Sequence, residues 1–310
     1  MGPAQPTSSG ATLAVGRRAL SARYGLSRAR GGDLRLALLF LAPAVLIYVV
    51  FMVVPFLNTL YLSLTDWNGF DPVPQFIGLQ NYLELFGDED FWRALRNNAI
   101  WAVVGTAAPI LIAIPIAVAL WSGTRYMTFF RTIYFIPHIL PVVVIAIVWA
   151  WIYHPIYGLP VLKGILGSKD TALFGILIPA IWGTYGFVIV VLLAGLQSVN
   201  MDLVDASKVD GANAFQRTRH VILPQIAPIM TTITTITLIG AFSVFDIVFI
   251  MTSGGPGGAT TVLAVQTFSS GFRENRQGYG SAISMVITAI SLVLTVLVVK
   301  FRERSYRDVY

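Results

Sequence analysis

A chain of 310 residues that is 56% hydrophobic, 12% charged and +0.73 in mean hydropathy does not have the make-up of a water-soluble domain, whose charged fraction is roughly a quarter. Burying that much apolar side chain in one core would leave too few polar groups to cover the outside, so lipid must be part of the solvent. The lack of cysteine excludes disulfide, zinc-thiolate and iron–sulfur chemistry, and the net charge of +6 follows from the loop asymmetry set out below, with no nucleic-acid partner required.

Residues 1–35 are rich in Gly, Ser, Ala and Arg with few large apolar side chains, and predict a disordered basic tail. The apolar run that follows is too long for the h-region of a signal peptide and is interrupted by Pro43 and Pro55, so it reads as a first membrane span at 36–64. A helix crossing hydrocarbon needs about 20 predominantly apolar residues. Five further runs meet that length, at 98–121, 133–153, 172–195, 226–251 and 278–300. They are continuously apolar rather than alternating as barrel strands do, so the expected fold class is an all-α integral membrane protein of about six transmembrane helices over 36–300.

Between the first two spans lies a polar stretch carrying Asp66, Asp71, Glu84, Asp88, Glu89 and Asp90. Its Pro, Gly and aromatic content predicts a folded segment with a short amphipathic helix near Phe91–Asn97, serving either as a plain connection or as a docking surface. Within the spans, Pro43, Pro55, Pro109, Pro115, Pro137, Pro141 and Pro179 predict bent helices, which a bundle around a water-accessible cavity can accommodate. Trp149, Trp151 and Tyr153 close the third span as an interfacial belt would.

With six spans, one face collects the N-terminal tail, the loops after the second and fourth spans, and a C-terminal tail at 301–310. About fifteen of the 21 Lys and Arg fall there, among them Arg125, Arg131, Lys208, Arg217 and Arg219. The other face has Arg93, Arg96, Lys163, Lys169, Arg273 and Arg276. Basic loops stay on the cytoplasmic side, so both termini are expected to be cytoplasmic.

The loop at 196–225 is the most informative segment. Ser198 or Asn200 can cap a helix through Leu203, Val204 and Ser207, Gly211 ends it, a second short helix runs through Phe215, and Pro224 marks the return to the membrane. Asp205-Ala206-Ser207, Gly211 and Val221-Ile222-Leu223-Pro224 match in spacing the cytoplasmic loop of permease subunits of binding-protein-dependent ABC importers, which reads Glu-Ala-Ala, three residues, Gly, nine residues, Ile, one residue, Leu-Pro. The chain resembles that family, with Asp205 for Glu, Ser207 for Ala and Val221 for Ile as departures. Resemblance to the sugar-transporting branch covers nearly everything after residue 35, including FLAPAVLIYVVFMVVPFLNTLYLSLTDWNGF, the triplet Asp210-Gly211-Ala212 and AFSVFDIVFIMTSGGPGGATTVL.

The resemblance implies a type I ABC importer permease fold in a bacterial plasma membrane, forming half of a path for a mono- or oligosaccharide or a glycerol phosphate. It implies as partners a second permease, two ATPase subunits that use ATP and Mg, and an extracytoplasmic sugar-binding protein. It also assigns Asp205, Ala206, Ser207, Asp210, Gly211, Leu223 and Pro224 to ATPase coupling. Small residues there let another surface approach, and Asp205 and Asp210 set register against a basic partner.

Asp246 is the charged residue expected inside a span, where a carboxylate marks function by default. It would bond a sugar hydroxyl or line the path, or else pair with the companion permease or lie at the outer interface. Trp182 and Tyr185, with Phe187, offer an aromatic face for a pyranose ring, or simply pack. Gly254–Gly258 reads as a chain reversal, since no Lys-Ser or Lys-Thr follows as a phosphate loop requires. His138, His154 and His220 are dispersed, so neither a catalytic residue nor a bound metal or cofactor is expected. The rival reading, an ion-coupled secondary transporter, would call for more charge at mid-membrane and for internal repeats.

Overall fold

The computed structural model describes residues 31–123 and 127–307; residues 1–30 of the expected basic tail, and Arg125 of the loop after the second span, lie outside the described residues. The chain divides into two units, 1–58 and 59–310.

In the first unit, helix α1 (Gly31–Tyr48) passes through a π-helical turn, Val49–Val53, into α2 (Val54–Leu62). Gly31–Arg35 are therefore helical, which corrects the expectation that the tail extends to residue 35. The wide turn has a cause: Pro55 has no backbone donor and its ring crowds the carbonyl one turn back, and the Val54 amide bonds to Val49 instead of closing an ordinary turn. No described side chain of 36–58 is buried, and the apolar residues run all round the helix, as in a helix that faces lipid or a neighbouring helix.

The second unit begins with a feature that an all-α reading omits, a two-stranded antiparallel ladder, β1 (Thr65–Asp66) and β2 (Gln75–Phe76). A short helix, α3 (Gln80–Gly87), follows, and the Asn81 side-chain amide ties it back to the Ser63 and Thr65 carbonyls, each at 2.9 Å. The expected separate helix near Phe91–Asn97 is instead the opening of α4 (Glu89–Trp121), a 33-residue helix. Asp88 caps it by accepting from the Asp90 amide, Glu89 and Asp90 face the positive end of its dipole, and buried Phe91, Ala94, Asn98 and Trp101 carry one helical stripe on into the span. Its length of about 50 Å exceeds the roughly 30 Å of bilayer hydrocarbon.

The third predicted span is two helices, α5 (Met127–Ile139) and α6 (Val142–Ile152), bent by 91°. Pro141 starts α6 without a donor and excludes Leu140 from the α region, which forces the break. Helix α7 (Ala172–Leu196) packs along α4 and α5, and Gly186 sits so close to the Tyr134 carbonyl that no side chain would fit between them.

Loop helices α8 (Met201–Val209), α9 (Ala214–Arg217) and α10 (Leu223–Gln225) precede α11 (Ala227–Phe242). The fifth predicted span, 226–251, is corrected: the helix stops at Phe242, and after Ser243–Phe245 a separate α12 (Asp246–Thr252) begins. Ser253 turns the chain through the left-handed region at φ 51°, and the glycine-rich reversal leads to α13 (Leu263–Phe268) and α14 (Gln277–Arg307). Helix α14 continues to Arg307, so most of the expected 301–310 tail is helical. Among the described residues, four helices are long and apolar enough to cross a membrane, or up to six if each of two bent pairs counts as one span.

Candidate functional site

Three places gather polar or exposed groups: the loop at 196–225, a cavity beneath the α5–α6 break, and a polar cluster at the N-terminal end of α4.

In the loop, Asn200 rather than Ser198 caps α8, its Oδ1 accepting from the Asp202 amide at 2.9 Å, while Ser198 Oγ donates to the Gly195 carbonyl at 2.7 Å. The Asp210 amide closes the last turn on Ala206, and Gly211 follows at φ +81° with open space where a Cβ would stand. Glycine here serves backbone conformation and leaves an unobstructed surface. Asn213 and Gln216 form a reciprocal cap on α9, each side chain accepting from the other's amide at 2.9 Å. A second π-helical turn, Thr218–Ile222, then widens the chain just ahead of Pro224, as happens before Pro55.

Of the seven residues assigned to coupling, Asp205, Ala206, Asp210, Gly211 and Pro224 are exposed, Leu223 is half-buried and Ser207 is buried. Ser207 Oγ donates to the Val204 carbonyl at 2.7 Å, and Asp205 pairs with Lys208 at 2.7 Å on the outer face. Large apolar side chains stand free beside them: Leu203 is 52% exposed, Phe215 72% and Val209 88%. The loop hangs from the core through Val204 and Ile222, which pack with Leu120, Leu196 and Val199. One longer tie is polar, the Asn200 amide donating to Gln225 Oε1 at 2.8 Å.

The cavity of about 480 Å³ is mostly apolar and lies between α4, α5, α7 and α11, where the α5–α6 break opens space. His138, Thr184 and Thr237 bring hydrogen-bonding groups to its wall, beside Trp101, whose indole N–H is a further donor, and Phe187. His138 is held between Phe135 and Phe187, at 5.5 and 5.1 Å between ring centres, with Nδ1 3.2 Å from the Gly183 carbonyl. Trp182 and Tyr185 do not line it: Trp182 packs against Trp149 at 6.0 Å and Tyr185 against Tyr134 at 6.3 Å. Asp246 does not line it either, and is corrected from a residue inside a span to the exposed first residue of α12, because the chain breaks at 243–245. Sequence reasoning passed over His138; the signal was a polar residue bracketed by Pro137 and Pro141 in an apolar run, which is how a discontinuous helix announces itself.

At the other end, Asp88 Oδ2 accepts from Tyr279 at 2.6 Å and from Gln266 at 3.3 Å, and Arg276 grips both oxygens of Glu84 at 2.6 and 2.7 Å. Burial works against the Arg276 cation, but the hydrogen bonds and charge of Glu84 outweigh it and hold its pKa above the ordinary arginine value. Asn97 donates to the Ala259 and Thr261 carbonyls at 3.0 and 2.8 Å. Asn98 donates to the Ala241 carbonyl at 3.1 Å and accepts from the Leu263 amide at 2.7 Å. These two asparagines pin the glycine-rich reversal and the α11–α12 break to α4. Among the described residues, no group of three or more His, Asp or Glu is placed to hold a metal ion.

Residues 89–305 match the family described as "Binding-protein-dependent transport system inner membrane component". The chain is 34% identical over 276 residues to the probable ABC transporter permease protein YurN of Bacillus subtilis, covering 85% of this chain and 94% of that one. It is 32% identical over 283 residues to the diacetylchitobiose uptake system permease protein NgcF of Streptomyces coelicolor, covering 84% and 80%. In fold it is similar to a chain of a bacterial alginate ABC transporter crystallised with an alginate pentasaccharide-bound periplasmic protein, at TM-score 0.75 and 21% identity, covering 88% and 96%.

Proposed function

Because this chain belongs to the family of binding-protein-dependent transport system inner membrane components, and is a membrane-spanning permease subunit of an ABC importer, we propose that it forms half of a path that carries a sugar inward at the expense of ATP. A saccharide cargo is supported by NgcF, whose name gives diacetylchitobiose, and by the alginate transporter whose fold the chain shares. The distribution of Lys and Arg supports an orientation with both termini in the cytoplasm.

The observation that carries the reading is the loop at 196–225. It is a capped helix, a left-handed glycine turn and a second capped helix, hung from the core by apolar anchors, with Asp205, Asp210, Leu203 and Phe215 turned outward. Exposed apolar groups beside ordered charges fit a protein partner better than they fit water. In this reading the loop seats on an ATPase subunit that binds ATP and Mg; Asp205, Ala206, Asp210 and Gly211 form the contact, and buried Ser207 supports it from behind. Leu223 and Pro224 fix the return into α11. A second, related permease completes the path, and an extracytoplasmic sugar-binding protein delivers the cargo to the side of the Asp88 cluster. ATP-driven approach of two ATPase subunits then moves the loop and reopens the path to the other side.

The cargo passes the cavity under the α5–α6 break, where His138, Thr184 and Thr237 supply hydrogen bonds and Trp101 and Phe187 supply apolar faces, the mixture that sugar rings need. Trp182 and Tyr185 act behind that wall by holding it in place, and Asp246 serves at the exposed break between α11 and α12.

The test is purification of the tagged chain from membranes with its neighbours attached. The wild type is expected to bring down an ATPase and a second permease, and Gly211→Val to lose the ATPase while keeping the permease. A wild-type chain that purifies alone and moves sugar on an ion gradient would overturn the reading in favour of a secondary transporter.

A further inference from the structure

Helix α4 ends beside the loop, since Leu120 packs in one cluster with Leu196, Val199 and Val204. Between the last turns of α4 and the loop runs an open groove of about 910 Å³. Its wall on α4 is formed by Leu111, Ile114 and Val118, residues at helical spacing that make one apolar strip roughly 10 Å long. The loop side carries Lys208, Arg217 and Arg219, and no carboxylate contributes to the lining. Lys208 is engaged by Asp205, but Arg217 and Arg219 form no ion pair among the described residues.

We propose that this groove seats a phospholipid with an anionic headgroup, its acyl chain along Leu111, Ile114 and Val118 and its phosphate between Arg217 and Arg219. An apolar strip on a membrane helix, capped by cations where the helix meets water, is complementary to that molecule and to no zwitterionic one as well. The chain's own N-terminal segment is a poorer occupant, because residues 1–30 contain five arginines and no carboxylate and would meet the rim with the same sign. The lipid would wedge between α4 and the coupling loop, so its headgroup charge would set how firmly the loop follows the bundle. The assignment of the leaflet rests on the proposed orientation; the site itself does not.

The complete transporter, reconstituted in nanodiscs of phosphatidylcholine with one quarter phosphatidylglycerol (about 25%, enough to populate a site of modest affinity), is labelled with photoactivatable phosphatidylglycerol or phosphatidylcholine probes, and the labelled peptides are mapped by mass spectrometry. The phosphatidylglycerol probe is expected to mark the peptides holding Leu111–Val118 and Arg217–Arg219 several-fold above the phosphatidylcholine probe. The double variant R217Q/R219Q should bring the two probes to parity. Val118→Trp, which fills the groove with both arginines intact, should abolish labelling by either probe at those peptides. Equal labelling by the two probes in the wild type, or labelling that neither variant alters, overturns the proposal. So does a photo-crosslinking residue at position 118 that captures the ATPase subunit instead of lipid. Labelling requires no transport, so a negative result here leaves the importer reading standing, and co-purification decides that separately.

Discussion

The two ends of α4 are built differently. At its N-terminal end, Asn97 and Asn98 bond backbone groups 143 to 165 residues away, and Asp88 joins Gln266 and Tyr279 across 178 and 191 residues. At its C-terminal end, the loop's polar contacts are local: Asp202 to Asn200, Lys208 to Asp205, Gln216 to Asn213, with Asn200 to Gln225 the longer exception. The first end is a frame cross-tied by hydrogen bonds, buried at Asn98 and partly buried at Asn97 and Asp88, and removing a buried one would strand polar groups in an apolar setting. The second is a self-contained unit that keeps its own shape while depending on apolar contacts at Val204 and Ile222 to hold it to the bundle. Internal caps of this kind suit the coupling role proposed for the loop, in which it would move as a body under a partner's push.

That contrast can be broken at either end. The largest effect is expected from Asn98→Leu, which strands the Ala241 carbonyl and the Leu263 amide; about 3 kcal/mol of stability should be lost, seen as a fall in the thermal midpoint of the purified chain. Tyr279→Phe removes the 2.6 Å bond to Asp88 and should cost about 2 kcal/mol in the same assay. Gly211→Val acts at the other end. With no neighbour to clash, it strains the left-handed turn by about 1 kcal/mol, so the thermal midpoint should fall less than in Tyr279→Phe, while binding-protein-stimulated ATP hydrolysis should drop about tenfold. The smallest change is expected from Lys208→Ala, because the pair with Asp205 is more than half exposed on both sides; stability should shift by less than about 0.5 kcal/mol. If the loop variants destabilised the chain as much as the asparagine variant, the division into frame and moving part would fail.

Much of this organisation was legible in the sequence, for physical reasons that differ by element. The apolar runs stood out because so few charges interrupt them, and the loop because caps, a left-handed turn and a proline are local chemistry carried by Asn200, Gly211 and Pro224. The break at Pro141 was half-visible as a bend. The break at Ser243–Phe245 was marked locally by Asp246 alone, and one carboxylate in an apolar run reads equally as a group inside a continuous span or as the first residue of a new helix. Asn98, buried deep in α4, holds that break open by bonding the Ala241 carbonyl, a tie 143 residues long that no local pattern carries. The same limit applies to the cavity. Trp182 and Tyr185 were chosen as aromatics, but residue type does not say what a ring packs against, and they lie behind the wall that His138 and Phe187 complete.

That this chain forms half of the path of an ATP-driven importer is tested most directly by sugar uptake into proteoliposomes holding the purified complex. Uptake is expected only when ATP is enclosed with the ATPase side and the sugar-binding protein is supplied on the other, and none on a proton or sodium gradient alone. Uptake by this chain without ATP, driven by either gradient, would contradict it.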